Sequence, residues 1–347
     1  MTGNRVEWID LVRAIAIVTV LFVHASDGIY ILLADETMKI GFYSRLFEYA
    51  SLFIGRIGVP FFLMITGYLL LDRSYDDTKV NKFWYNNCKN LIIVTVIWTS
   101  IYAIFLHFLL IGSPEVSIGE AGNLLFSHMW YMPMIIGMYI SIPFVASAIG
   151  KYTPKTLSKA LVVFSLLAFA LPFMTTLCDM QGISGVAIQY CLGFSGGVYG
   201  IYIILGYLVK KEVFKKYSSK IFAALAIVSF LICVGFQYYA YIRHYNFFLW
   251  YDFPFILIGS FALFELCSRI KKVRGFSLVS VLSKYSFAVF LIHNIFRIFI
   301  LAFIMDLPYP QPVMVLLVWV LLLITSYIAA AVIYRIPKIG KYVLYMR

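Results

Sequence analysis

The sequence predicts an all-α, polytopic integral membrane protein with about ten transmembrane helices and both termini cytoplasmic. Three observations predict it. Of the 347 residues, 63% are hydrophobic and only 13% charged, against roughly 45–50% and 25% in soluble domains. The apolar residues gather into ten runs, each near the ~20 residues that a spanning helix needs. Basic residues collect between those runs on alternate sides. With the N-terminus inside, 22 of the 28 Lys/Arg fall in cytoplasmic segments and only Lys39, Arg45 and Arg243 in outer ones, as the positive-inside rule requires. The same distribution accounts for the net charge of +12 through topology. Membrane lipid is therefore the expected partner and nucleic acid is not.

The runs cover roughly 9–33, 48–71, 90–111, 129–149, 159–178, 191–209, 221–242, 247–267, 285–305 and 313–334. The first follows Arg5, as a signal peptide would. Arg13 interrupts it, however, and no small-residue cleavage site follows, so it reads as an uncleaved span. The second lies in GRIGVPFFLMITGYLLLDR and holds Arg56 about eight residues in. Trp84, Trp130, Trp250 and many tyrosines mark the ends of the middle runs as interfacial aromatic belts. The ninth run contains His293 and Arg297. The longest connections, 34–47, 72–89 and 112–128, are too short to fold as domains. Residues 1–347 are thus expected to form a single transmembrane domain whose chemistry belongs to its helices and short loops.

The first run carries the most informative pattern. Asp10, Arg13, His24 and Asp27 lie along it, where each polar group is costly without a partner or a task. Arg13 and His24 are eleven residues apart, roughly three turns plus 20°, and so share one face about 16 Å apart. With Asp10 at zero, Arg13, His24 and Asp27 fall near −60°, −40° and −100°. Such a stripe must face protein or a watery cavity rather than lipid.

Other residues keep two readings open. Arg13 either snorkels against Asp10 or serves a ligand. Arg56 either pairs with an acid such as Asp27 or Glu48 or meets an anionic group. Neutral His24 is either a packing residue or a general base near pH 7. His128, in SHMWYMP, and His293, in YSFAVFLIHN, are structural or site residues, and Arg297 reads as structural. The five cysteines lack CxxC and metal-ligand spacing, and no metal is expected. Cys178 and Cys191 flank one outer loop but read as isolated thiols. No P-loop, βαβ GxGxxG, HExxH or GxSxG motif occurs. These observations fit an enzyme or a transporter. Paired broken helices or inverted halves would favour transport, and the sequence has no convincing halves.

Trp8-Ile9-Asp10-Leu11-Val12-Arg13-Ala14-Ile15-Ala16, followed by His24 after ten intervening residues, resembles the opening signature of the acyltransferase-3 membrane acyltransferases. Further likeness follows in order. Arg56-Ile57-Gly58-Val59-Pro60-Phe61-Phe62-Leu63-Met64-Ile65-Thr66-Gly67-Tyr68-Leu69 is similar to that family's second-span pattern. His128-Met129-Trp130-Tyr131 resembles its HLWF/Y element, with Met where Leu is usual. Tyr199-Gly200-Ile201-Tyr202 with Gly206-Tyr207, and Ser283-Lys284-Tyr285-Ser286 through His293, resemble elements of the sixth and ninth spans. The chain looks most like stand-alone members that acetylate surface polysaccharide, such as the common-antigen type.

The resemblance implies transfer of an acyl group, usually acetyl from acetyl-CoA, to a hydroxyl of an extracytoplasmic or lipid-linked cell-surface glycan. It also implies residence in a bacterial inner (plasma) membrane. His24 would be the catalytic base or a transient acyl carrier, with Asp10, Arg13 and Asp27 beside it in the site. Arg13, Arg56 and Arg73 would contact the acyl-CoA side or a developing anion. His128, Trp130, Tyr131 and His293 would bind the acceptor, with aromatic faces against sugar rings. With donor and acceptor on opposite sides of the membrane, a solvent-lined tunnel is expected along the Arg13–His24 face.

Overall fold

A helix apolar on nearly every face needs neighbours on nearly every face. In the computed structural model, which describes residues 6–32, 40–109, 129–183, 197–304, 307–337 and 340–346, the first helix has them. This helix, α1 (Glu7–Leu32), packs against α2 (Phe42–Arg56) and α3 (Gly58–Leu70) on one side. Against its other sides lie α11 (Pro254–Ser268), α12 (Phe276–Ile304) and α13 (Gln311–Tyr334). Between these come α4 (Asp77–Phe83), a π turn (Trp84–Cys88) and α5 (Lys89–Leu109), then α6 (Tyr131–Ile149). Next are α7 (Pro154–Ser165), a second π turn (Leu166–Ala170), α8 (Leu171–Met180), α9 (Gly197–Lys210) and α10 (Ser219–Ile242). A short α14 (Gly340–Val343) follows α13. Among the described residues every regular element is helical.

Eight of these rods are long and apolar enough to cross a membrane, counting α2–α3, α4–α5 and α7–α8 as continuous, and α9 and α11 are shorter apolar helices. They coincide with the ten expected runs. The most apolar stretch is 67% buried in α1 and 78% in α2–α3, against 22% in α10 and α13. The first two spans therefore form the interior together with α12, whose apolar stretch is 50% buried, and α10 and α13 stand at its outside.

The second span begins earlier than its apolar run, because polar residues there find partners inside the bundle. Arg45 pairs with Glu48 at 3.1 Å. The Tyr30 hydroxyl donates to the Ser44 carbonyl at 2.8 Å, and the Ser44 hydroxyl donates to Gln311 Oε1 at 3.0 Å. Cys191 lies outside the described residues.

Candidate active site

Near its N-terminal end α1 fixes Asp10, whose carboxylate is nearly inaccessible. It accepts the Ser283 hydroxyl of α12 at 2.6 Å and pairs with Arg13 Nη1 at 3.5 Å. The Ser286 hydroxyl donates to the Ser283 carbonyl at 2.9 Å, so both serines of the ninth-span element brace this corner. Arg13 does approach Asp10, but it does not withdraw from the interior. Its side chain remains 34% exposed, on the wall of a large cavity.

That cavity measures about 820 Å³, within the usual range for ligand sites. Arg13, Arg73 and Lys284 supply its cations, and among the described residues Asp10, already engaged, is the one acid in its wall. Asn87, presented by the first π turn, and Thr66 add neutral polar groups. Val59, Phe62, Ile135, Tyr131 and Phe290 make the remainder apolar. A smaller concavity of about 320 Å³ shares Arg73 and Asn87 with it and adds Lys79 and Lys82. On α1 the wall runs from Ile9 to Val20. His24 stands four residues past Val20, one helical turn or about 6 Å.

Around His24 a second polar group assembles. The ring is half-buried, and its centroid lies 5.0 Å from that of His293, with the planes inclined by 37°. His293 is fully buried, with Nδ1 2.7 Å from the Phe290 carbonyl and 3.2 Å from that of Val289. Arg297, one turn along α12, donates from Nη1 to the His24 carbonyl at 3.4 Å and from Nε to Asn294 Oδ1 at 2.8 Å. Arg297 thus ties α12 to the backbone of α1 at His24.

Arg56 reaches the same region because of the sequence around it. Gly55 and Gly58 bring the second span against α1, where a Cβ at Gly55 would lie 2.2 Å from Val23 Cβ and one at Gly58 2.5 Å from the Ala16 carbonyl. Only glycine permits this approach. Pro60 has no N–H, so the Arg56 carbonyl lacks its i+4 donor and the helix breaks between α2 and α3. Arg56 Nη2 meets Asp27 at 3.3 Å. Its guanidinium lies over Trp250 (4.4 Å to the ring centroid) and Phe248 (4.9 Å).

Trp250 links this ion pair to the predicted acceptor residues. Trp130 lies 5.5 Å from Trp250, 5.8 Å from Tyr199, 5.6 Å from Tyr251 and 6.2 Å from Tyr131, centroid to centroid. The sequence reading missed Trp250, which looked like an interfacial belt residue. Its signal was the aromatic density of FFLWYDF at the mouth of a span. His128 lies outside the described residues.

The structure therefore makes two groupings of the predicted residues: Asp10, Arg13, Arg73 and Tyr131 at the cavity, and His24, Asp27, Arg56 and His293 beyond its far end, with Trp130 joined to both through Tyr131 and Trp250. Among the described residues no group of three or more His, Cys, Asp or Glu is placed to hold a metal ion. Compared with known families, residues 6–335 match one described as an acyltransferase domain. No curated protein and no solved structure matches the chain.

Proposed function

The chain belongs to the acyltransferase-3 family of membrane acyltransferases, and from that premise we propose that it acetylates a cell-surface glycan. The donor is cytoplasmic acetyl-CoA, the acceptor a hydroxyl of an extracytoplasmic or lipid-linked glycan, and the setting a bacterial inner membrane. One observation carries the reading: the cationic cavity along the Arg13 face ends one helical turn from His24. An acyl thioester entering past Arg73 and Lys284 would put its phosphates against guanidinium and ammonium groups. Its apolar arm would lie between Phe62, Ile135 and Phe290, with the carbonyl directed toward His24.

In the reaction His24 takes the proton of the acceptor hydroxyl as its oxygen attacks the thioester carbonyl. A C–O bond forms, the C–S bond breaks, and His24 passes the proton to the departing thiolate. The Asp27–Arg56 pair supplies fixed charge near the reacting carbonyl. Trp130, Tyr131 and Trp250 offer flat faces to a sugar ring. His128 and His293 are further candidates on the acceptor side.

The test is His24→Ala in membrane vesicles supplied with labelled acetyl-CoA and surface glycan. Loss of incorporation by at least about 10²-fold is expected, the scale of a positioned base. Wild-type incorporation in that variant would overturn the reading.

A further inference from the structure

The segment that follows α13 does not leave the bundle but turns back into it. Gly340 is pressed against the end of α13, where a Cβ would lie 2.0 Å from the Ile333 carbonyl, and its N–H donates to the Ile336 carbonyl at 3.0 Å. The single turn α14 closes with the Leu344 N–H donating to the Gly340 carbonyl at 3.1 Å. Tyr345 then ends it in the left-handed region, with φ 52°. A residue with a Cβ holds that conformation only where its surroundings impose it. Leu344 is wholly buried and Met346 is 9% exposed, whereas Tyr342, on the same turn, is 78% exposed.

A gap between two spans receives this segment. Helices α5 and α12 meet directly at Tyr102, whose hydroxyl donates to the Leu291 carbonyl at 2.7 Å, and at Phe105 and Phe299, with ring centroids 5.4 Å apart. One turn before Tyr102 and Leu291 stand Trp98 and Phe287, and each of these meets the returning segment. Trp98 Nε1 donates to the Val343 carbonyl at 2.9 Å, and the Phe287 and Tyr345 ring centroids lie 5.4 Å apart with their planes at 61°. Residues 340–346 are thus a strap wedged between α5 and α12. Leu91 of α5, Phe287 of α12, and Tyr345 and Met346 of the strap all line the large cavity. Between those two helices the strap supplies its wall.

We propose that the strap is part of the donor site, and that Met346 packs against the uncharged pantetheine arm of the acyl-CoA. The inference rests on the acyltransferase reading above and adds to it a binding element from outside every apolar run of the sequence. Cations meet the donor's phosphates, but an arm of methylenes and amides needs a wall of close van der Waals contact. Met346 suits that arm, because an unbranched thioether with three rotatable bonds can follow a flexible chain. Trp98, buried Leu344 and Gly340 hold the strap in place, so the arm meets a surface that is already ordered.

Protection by acetyl-CoA tests the proposal on the full chain in nanodiscs, without any transfer step. Three variants are treated with methyl methanethiosulfonate: Met346→Cys, Ile135→Cys on the α6 wall of the same cavity, and Tyr342→Cys on the exposed side chain of the strap. Labelling at each position is read by peptide mass, with the native cysteines kept. Acetyl-CoA at about ten times its Kd should slow labelling at positions 346 and 135 about tenfold, by mass action, and leave position 342 unchanged. Protection of position 135 without position 346 would overturn the proposal, as would equal protection of position 342. Protection of neither cavity position would overturn the donor reading itself. Initial rates give the second measurement, in variants that remain monodisperse. Met346→Ala should raise the KM for acetyl-CoA and for acetyl-pantetheine by one common factor, about four- to fifteenfold for one or two methylenes of lost contact. Met346→Leu keeps the bulk and should restore most of that contact. An unchanged KM in Met346→Ala, or a rise confined to acetyl-CoA, would overturn the proposal.

Discussion

Asp27 and Arg56 form an ion pair whose side chains are 16% and 4% exposed. Arg56 is 3% exposed, and its charge is met by one carboxylate and a bed of aromatic rings. Removing one member of such a pair strands the other, at a cost of roughly 3–5 kcal/mol, whereas replacing both by apolar groups costs far less. Asp27→Asn should therefore lower thermal stability more than the double variant Asp27→Asn/Arg56→Met does. Thermal unfolding in detergent reads the difference, and additive losses would show that the two act independently. Asp10 gives a second case. Ser283→Ala removes a 2.6 Å donor to a nearly inaccessible carboxylate, with an expected cost of about 1–3 kcal/mol. Arg13 would lose its fixed partner, so the KM for acyl-CoA should rise more than kcat falls. Steady-state rates in proteoliposomes decide this, and an unchanged KM would detach Asp10 from donor binding.

The elements explain why parts of the site were legible in the sequence and parts were not. Spans announce themselves by length and apolarity, and the stripe on α1 follows from helical spacing alone. The close approach of the second span to α1 beside Arg56, by contrast, depends on Gly55 and Gly58, whose contacts lie in another helix, and His24 meets His293 across 269 positions of sequence. The π turn that presents Asn87 to the cavity leaves no periodic trace, because one inserted residue shifts the phase of its own helix. Close crossings share this dependence on the partner. Gly67 and Gly206 face each other where α3 crosses α9, and a Cβ on Gly206 would fall 1.9 Å from the Met64 carbonyl. Gly206→Ala must force the backbones apart and should destabilise by about 1–3 kcal/mol. Gly235→Ala, on α10 with nothing within 4 Å of the added carbon, should be neutral or gain up to about 1 kcal/mol. Equal thermal shifts in the two variants would contradict the close crossing. The same crossing is clamped at its end by Asp72, which pairs with Lys210 and Lys211. Burial pulls the Asp72 pKa upward, but the two lysines outweigh it and hold the carboxyl below its ordinary 3.8. Its contribution is thus complete above that value and fades as pH falls through the lowered one.

For the whole molecule, the 22-to-3 division of basic residues expected from the sequence is a matter of topology, and the proposed reaction asks which of those cations also meet its donor. The cavity wall answers through geometry. It holds Arg13, Arg73 and Lys284, and Lys79 and Lys82 adjoin it, whereas Lys155 on α7 contributes equally to the charge asymmetry but lines neither concavity. A cleft of one sign raises the local concentration of an oppositely charged ligand, and salt screens that effect over about 10 Å at 0.1 M. Arg73→Gln should therefore raise the KM for acetyl-CoA about tenfold, the loss of one charge-assisted contact worth about 1.5–3 kcal/mol, with kcat little changed. Lys155→Gln, which costs topology the same single charge, should leave KM at the wild-type value. Added salt should raise the wild-type KM and do so less in Arg73→Gln. A phosphate-free pantetheine thioester provides the control, since it lacks the groups that the cations meet. Its KM should respond neither to salt nor to Arg73→Gln. Initial rates in proteoliposomes with both donors measure all four quantities. If the neutral donor lost as much as acetyl-CoA, Arg73 would be supporting the fold of the cavity mouth rather than attracting phosphate.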